Sequence, residues 1–213
     1  DETGVGVMAM EEGLDTGPVL IERNLAIGLL DNGHTLAKCM SVLTADLMVE
    51  AMPLIESAGH GSEHERWERL KVMDQADRPG EASYARMLTK QDHQIDWSDS
   101  ALTIHRKVMA LYPNAVTLWN DKRLKIQHCE PLIERLMDEL PADVHPLVGR
   151  WPTGGHPPGT VLESVKGIGV VVSTKGCPIM IRSAQLEGKG RSDGDSLIQQ
   201  LNATAKQQFG TFS

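Results

Sequence analysis

The sequence predicts an α/β chain in two parts, a strand–loop–strand–helix front and an all-β back closed by a helix. Three observations predict it. Small and apolar residues run over positions 3–10, and apolar residues then recur at three- and four-residue steps from about 35 to 58. From Val116 onward the pattern becomes five short apolar runs separated by turn residues. Charge is also partitioned. Residues 1–82 carry 6 Lys and Arg against 16 Asp and Glu, a balance of −10, whereas residues 83–213 carry 15 against 13, a balance of +2.

The 213 residues suffice for one large domain or two small ones, and 40% hydrophobic residues exclude global disorder. With 4 Trp, 2 Tyr and 2 Phe, the core must be mostly aliphatic. A net charge of −8 by itself argues against a nucleic-acid partner, and the distribution says more. The acidic front and mildly basic back fit two modules with different partners, or equally well chance variation along a surface. No apolar run reaches membrane-spanning length and no signal peptide is read, so no membrane partner is expected. Three distant cysteines, Cys39, Cys129 and Cys177, fit a reducing, cytoplasmic compartment better than a disulfide framework. The chain opens at Asp1 without an initiator Met and reads as a fragment or processed product.

In order, residues 3–10 place Val5 and Val7 two apart with small residues on both faces, which predicts a strand buried on both sides. Residues 11–18 are a turn-rich loop, followed by a second strand from Val19 to Ile21 and on towards Ile27. Leu36, Cys39, Met40, Leu43, Leu47, Ala51, Leu54 and Ile55 predict a helix with Thr35 as N-cap and Pro53 kinking or shortening its last turn. Cys39 and the methionines at 40, 48 and 52 are expected in the core. Residues 59–82 break the periodicity with Gly59, Gly61, Pro79 and Gly80 and read as a linker, with a helical turn around Trp67 and Leu70.

A second helix, Ser100 to Leu111, carries Leu102, His105, Val108 and Met109 on one side and stops at Pro113-Asn114. Strands are predicted at Val116–Trp119, Leu124–His128, Thr160–Ser164, Gly169–Ser173 and Ile179–Leu186, the first two joined by a hairpin turn at Asn120-Asp121. Five such strands suggest a small barrel of the oligonucleotide-binding (OB-like) type. Residues 131–158 read as a surface insertion, and Ser192 to about Lys206 as a closing helix. Trp97 is expected to anchor the entry to the barrel rather than stack on a base.

The sharpest motif is Gly13-Leu14-Asp15-Thr16-Gly17-Pro18, an Asp between glycines on a loop joining two strands. Small residues let a ligand approach the main chain closely. By spacing alone it reads first as a plain turn, because Asp and Gly dominate turns. His60-x-x-x-His64 has helical metal-ligand spacing but lies among glycines with no third ligand nearby, so no metal is expected.

Thr3-Gly4-Val5, Met8-Ala9-Met10 and Gly13-Leu14-Asp15-Thr16-Gly17 together are similar to a block of the folate-dependent formyltransferases. The back half resembles the methionyl-tRNA branch of that family. The matching segments are Ala82-Ser83-Tyr84-Ala85, Leu88-Thr89-Lys90, Ile95-Asp96-Trp97-Ser98, Ile104-His105-Arg106, Ala110-Leu111, Lys122-Arg123-Leu124-Lys125-Ile126, Pro158-Gly159-Thr160-Val161 and Gln185-Leu186-Glu187-Gly188-Lys189. Tyr112-Pro113-Asn114-Ala115 departs from the family's usual Asn-Pro-Trp-Pro.

The resemblance implies formyl transfer from 10-formyltetrahydrofolate to the α-amine of initiator methionyl-tRNA, without a metal, by a monomer. It implies that residues 1–60 are the C-terminal part of a Rossmann-like catalytic domain, 61–88 a linker and 89–207 the OB-like domain. In the family an Asn–His–Asp trio is catalytic, and the loop around its Asp lines the folate pocket. Asp15 matches that Asp, with Gly13, Leu14, Thr16 and Gly17 around it, while the family's Asn and His fall before residue 1. Candidate tRNA contacts are Lys90, Arg106, Lys107, Lys122, Arg123 and Lys125, with Lys189 and Arg191 more distant; each taken singly is as readily an ordinary surface cation. Two other readings stay open: a different formyltransferase or formyl-folate hydrolase of the same fold, and a noncatalytic RNA-binding fragment.

Overall fold

The structure, a computed structural model, describes residues 2–78 and 81–212. Pro79 and Gly80 of the expected linker lie outside the described residues. The chain divides into two compact units, Asp1–Gly28 with His34–Arg86, and Leu29–Gly33 with Met87–Ser213.

In the first unit, β1 (Glu2–Met8) and β2 (Val19–Ala26) form an antiparallel pair in which Val5 faces Arg23. Exposure alternates along β1, with Gly4 and Gly6 exposed and Val5 and Val7 half-buried. The strand is thus covered on one face only, the period-two pattern of a half-buried strand, and not on both as expected.

Helix α1 (Gly33–Ser57) starts two residues ahead of Thr35, so Thr35 sits inside the first turn and is not its N-cap. It runs four residues beyond Pro53. Only Leu47 and Ala51 are buried on it, whereas Cys39, Met48 and Met52 are exposed, which corrects their expected place in the core. Periodicity tells which face a residue occupies, not what covers that face.

Residues 59–78 hold more regular structure than the single helical turn expected of them. Helix α2 (Glu63–Leu70) opens with a reciprocal cap, in which Glu65 N–H donates to Ser62 Oγ (3.3 Å) and Ser62 N–H to the Glu65 carboxylate (2.8 Å). The Arg69 guanidinium donates to the carbonyls of Ala58 (2.5 Å) and His60 (2.9 Å), holding the turn before the helix. Val19 and Met73 then exchange two backbone hydrogen bonds (2.8 and 2.9 Å), which lays the segment after α2 beside β2.

In the second unit a 3₁₀ turn at Gln91–His93 precedes α3 (Ala101–Ala110), whose first turn is capped by Ser100 Oγ accepting from Thr103 N–H (3.1 Å). Strands β3 (Val116–Trp119) and β4 (Lys122–Pro131) form the expected hairpin. Asn120 and Asp121 have φ of 48° and 62°, the left-handed pair that a two-residue turn needs and that Asn and Asp tolerate. Strands β5 (Val161–Val165), β6 (Gly169–Val172) and β7 (Ile179–Leu186) complete an antiparallel sheet of order β3-β4-β7-β6-β5. A short β8 (Arg191–Asp193) pairs with β7 and leads into α4 (Gly194–Leu201), which is therefore shorter than the expected closing helix. Gly210 bridges to Leu118 of β3, and Gln208 to Thr160 just ahead of β5, so one C-terminal segment links both ends of the strand path.

Both faces of the sheet centre are buried. Val170, Val172, Ile179 and Ile181 enter a cluster with Trp97, Ile104, Trp119 and Leu124. Val171 and Met180 point the other way, onto Leu132, Leu140, Val144 and Leu147. Residues 131–158 thus form the cover of a second core and are not a surface insertion. Their two 3₁₀ segments, Glu134–Glu139 and Ala142–Leu147, carry no helix or strand period to read. Glu130 is fully buried beneath this cover and accepts from Arg182 Nε (2.5 Å), while Arg182 also grips Asp143 (2.5 and 2.8 Å). Trp97 is buried, its indole N–H donating to Thr117 Oγ1 (3.0 Å), so it serves the core and has no face free for a base.

Candidate functional site

The loop from β1 to β2 is pinned at its base by Ala9 N–H donating to the Pro18 carbonyl (2.9 Å). Gly17 is required there by close approach: a Cβ on it would lie 1.8 Å from the Ala9 carbonyl oxygen. Asp15 takes a left-handed φ of 56°. The Gln75 amide donates to the carbonyls of Asp15 (2.9 Å) and Gly17 (2.8 Å), fixing the tip of the bend. Thr16 Oγ1 donates to Glu11 (3.1 Å), and Leu14 faces solvent.

Asp15 lines a cavity of about 390 Å³ beside the β1–β2 pair. Gly4, Gly6, Asn24, Gln75 and Arg78 also line it, and Arg78 is ion-paired with Glu22. Gly13, Leu14, Thr16 and Gly17 shape the loop without being lining residues. Asn24, Gln75 and Arg78 were missed by sequence reasoning. Gln75 and Arg78 fell in the segment read as linker, and no local pattern marks them.

The expected cations divide into groups. Lys90, Arg123 and Lys125 line a cleft of about 680 Å³ on the second unit. Arg123 meets Glu187 at 3.5 Å, and Lys125 Nζ donates to Asn114 Oδ1 (3.0 Å). Lys122 is exposed at the neighbouring hairpin end. Lys107 donates to the Gln94 carbonyl (2.9 Å), bracing α3, and Arg106 is exposed on α3. Arg191 pairs with Asp193 (3.2 Å). The cleft also takes in Gln185 and Leu186, from a family-matched segment to which no role was given.

His105 is a core histidine. Its Nδ1 lies 2.8 Å from the Cys129 carbonyl and its Nε2 2.6 Å from that of Leu29. Burial, the largest influence, pulls its pKa below the ordinary histidine value. His64 meets Glu68 (3.5 Å) one turn along α2. Among the described residues no helix is long and apolar enough to cross a membrane, and no three His, Cys, Asp or Glu side chains gather as metal ligands.

The chain as a whole has known relatives. Residues 87–202, over half the chain, match the formyl transferase C-terminal domain, and the chain belongs to that family. Methionyl-tRNA formyltransferase of Synechococcus sp. (strain CC9311) is 87% identical over 212 residues, covering 100% of this chain and 62% of that protein. That of Prochlorococcus marinus (strain MIT 9313) is 54% identical over 98% of this chain and 61% of its own length. The chain thus spans about three fifths of these relatives. Among solved structures, HypX from Aquifex aeolicus in complex with tetrahydrofolic acid superposes with a TM-score of 0.63 at 16% identity, over 100% of this chain and 34% of that one. WlaRD, a sugar 3N-formyl transferase crystallised in the presence of dTDP and 5-N-formyl-THF, gives 0.52 at 15% identity, over 89% and 56%. At such identity these two establish the fold alone.

Proposed function

We propose that this chain serves formyl transfer from 10-formyltetrahydrofolate to the α-amine of initiator methionyl-tRNA, in the cytoplasm and as a monomer. Residues 1–60 would be the C-terminal part of a Rossmann-like catalytic domain, 61–88 the linker and 89–207 an OB-like barrel. The C-terminal segment that joins β3 to the head of β5 supports the barrel reading. The observation that carries the activity is Asp15, held on a glycine-flanked bend at the wall of a cavity beside the sheet.

The cavity fits a folate donor in its chemistry. Amide side chains of Asn24 and Gln75, the Asp15 carboxylate and the exposed backbone at Gly4 and Gly6 suit the polar edge of a pterin, and its volume lies in the range of about 300–1,000 Å³ usual for ligand pockets. An α-amine has a pKa of about 7.7–8.0, so a useful fraction is already nucleophilic at neutral pH. What remains is alignment, oxyanion stabilisation and proton handling. Asp15 would orient the family's catalytic His, favour its charged form and pass a proton through water. With two members of the trio lying outside these 213 residues, the chain alone is expected to be inactive. Gly13, Leu14, Thr16 and Gly17 would set the donor loop, and Lys90, Arg106, Lys107, Lys122, Arg123 and Lys125 the tRNA face.

The test is steady-state formyl transfer to methionyl-tRNA by the full-length enzyme carrying this sequence, with and without Asp15→Asn. Loss of a positioned acid–base group should lower kcat by about 10²–10⁴-fold, with little change in KM for tRNA. Turnover near wild type overturns the assignment.

A further inference from the structure

The cleft at the β3–β4 hairpin holds more than cations. Val116, Leu186 and Phe212 give it an apolar part of its lining, beside His93 and Gln94, and it reaches about 680 Å³. Lys90, Arg123 and Lys125 stand around it against one lining carboxylate, Glu187. Asn114 and Gln185 add amide groups, one of which, Gln185 Nε2, donates to the Lys189 carbonyl (3.0 Å).

A site built only for phosphates needs neither depth nor apolar lining, because backbone contacts spread over a surface. A hollow lined by both apolar and cationic side chains matches a ligand that is flat and apolar on its faces, polar at its edge and anionic at one end. We propose that this cleft binds one unpaired ribonucleotide of the RNA partner, the base lying against Leu186 and Phe212 and the phosphate against Lys90, Arg123 and Lys125. Asn114 and Gln185 bring amide groups to the cleft; Asn114 Oδ1 accepts from Lys125 Nζ (3.0 Å) and Gln185 Nε2 donates to the Lys189 carbonyl (3.0 Å), contacts that a base edge would replace. A base locked in a duplex presents no free face, so the site selects an unstacked nucleotide. Glu187 sits 3.5 Å from Arg123 in an exposed and weak pair that a phosphate displaces at small cost.

The proposal rests on the tRNA reading above, and the experiment separates the two. Fluorescence anisotropy on the full chain would use labelled single-stranded oligoadenylate and oligouridylate, an abasic ribose-phosphate oligomer of equal length, and methionyl-tRNA across a salt series. The proteins are wild type, Phe212→Ala and Phe212→Tyr. Phe212 lies outside both core clusters, so its replacement should leave the melting temperature unchanged. Base-bearing oligomers should bind wild type about tenfold tighter than the abasic one, the scale of one base–aromatic contact. Phe212→Ala should erase that difference, and Phe212→Tyr restore it. Equal binding of base-bearing and abasic oligomers, with salt-sensitive tRNA binding retained, overturns the nucleotide site and leaves the tRNA reading standing. Failure of the chain to bind any of these RNAs overturns both.

Discussion

Two glycines of one loop carry different physical burdens. A Cβ at Gly17 would meet the Ala9 backbone carbonyl, which is fixed by its neighbours in the pinned bend. A Cβ at Gly13 would meet the exposed Thr16 side chain, its hydroxyl at 2.4 Å and its methyl at 3.0 Å, which can shift by giving up its hydrogen bond to Glu11 without moving a pinned backbone. Gly17→Ala should therefore cost about 1–3 kcal/mol, the usual size of a forced overpacking, and Gly13→Ala clearly less. Urea denaturation of the two variants checks this, and equal losses would mean the backbone pin is not what fixes the loop. Asp15 itself was legible as a site residue only through resemblance, because Asp between glycines is also the composition of a plain turn. Gln75, which holds the tip, sits 60 residues along the chain from Asp15, and no local signal could have named it.

At the scale of elements, the cover formed by residues 131–158 is tied down by charge as well as by apolar contact. Arg182 on β7 spans buried Glu130 on β4 and half-exposed Asp143 in the cover. Arg182→Ala leaves buried Glu130 with only the His128 ring (3.3 Å) as a side-chain partner and should cost about 3–5 kcal/mol. Asp143 adds a pH dependence. Hydrogen bonds from Arg182 hold its carboxyl below the ordinary range. A folded-state pKa lowered in this way gives stability that is present above the unfolded value of about 3.9 and lost as pH falls through the folded one. Melting temperatures of wild type and Asp143→Asn should differ most near neutral pH and converge in acid; a gap that stays constant would show that Asp143 ionisation contributes nothing.

Regular elements were legible where period and turn chemistry agreed. The β3–β4 hairpin is one such case, with alternating residues on either side of Asn120-Asp121. Helix α2 was read only as a turn around Trp67 and Leu70, because the glycines before it weighed towards a linker. The 3₁₀ cover had no period at all, so its apolar residues could not be assigned to a core.

For the whole chain, burial is divided unequally between the two units. The buried hydrophobics of the first unit are Leu47, Ala51 and Ala58 among the described residues, while Met10, Leu14, Val42, Val49 and Met52 stand exposed there. The second unit holds both core clusters, with Val170, Val172, Ile179 and Ile181 closed on every side. Apolar burial stabilises by about 25 cal/mol per Å², and local opening costs least where little of it is lost. Backbone amides of β6 and β7, with the paired amides of β4, should therefore exchange with solvent most slowly. Those of β1 and β2 should exchange at least about tenfold faster, since a gap of 1.4 kcal/mol in opening free energy is already a factor of ten. Urea should unfold the chain in two steps, the first unit before the second. Hydrogen-exchange mass spectrometry across the urea series reads both quantities at once. Protection of β1 and β2 equal to that of β7, lost in a single transition, would mean that the small core of the first unit is as resistant to opening as the two clusters of the second.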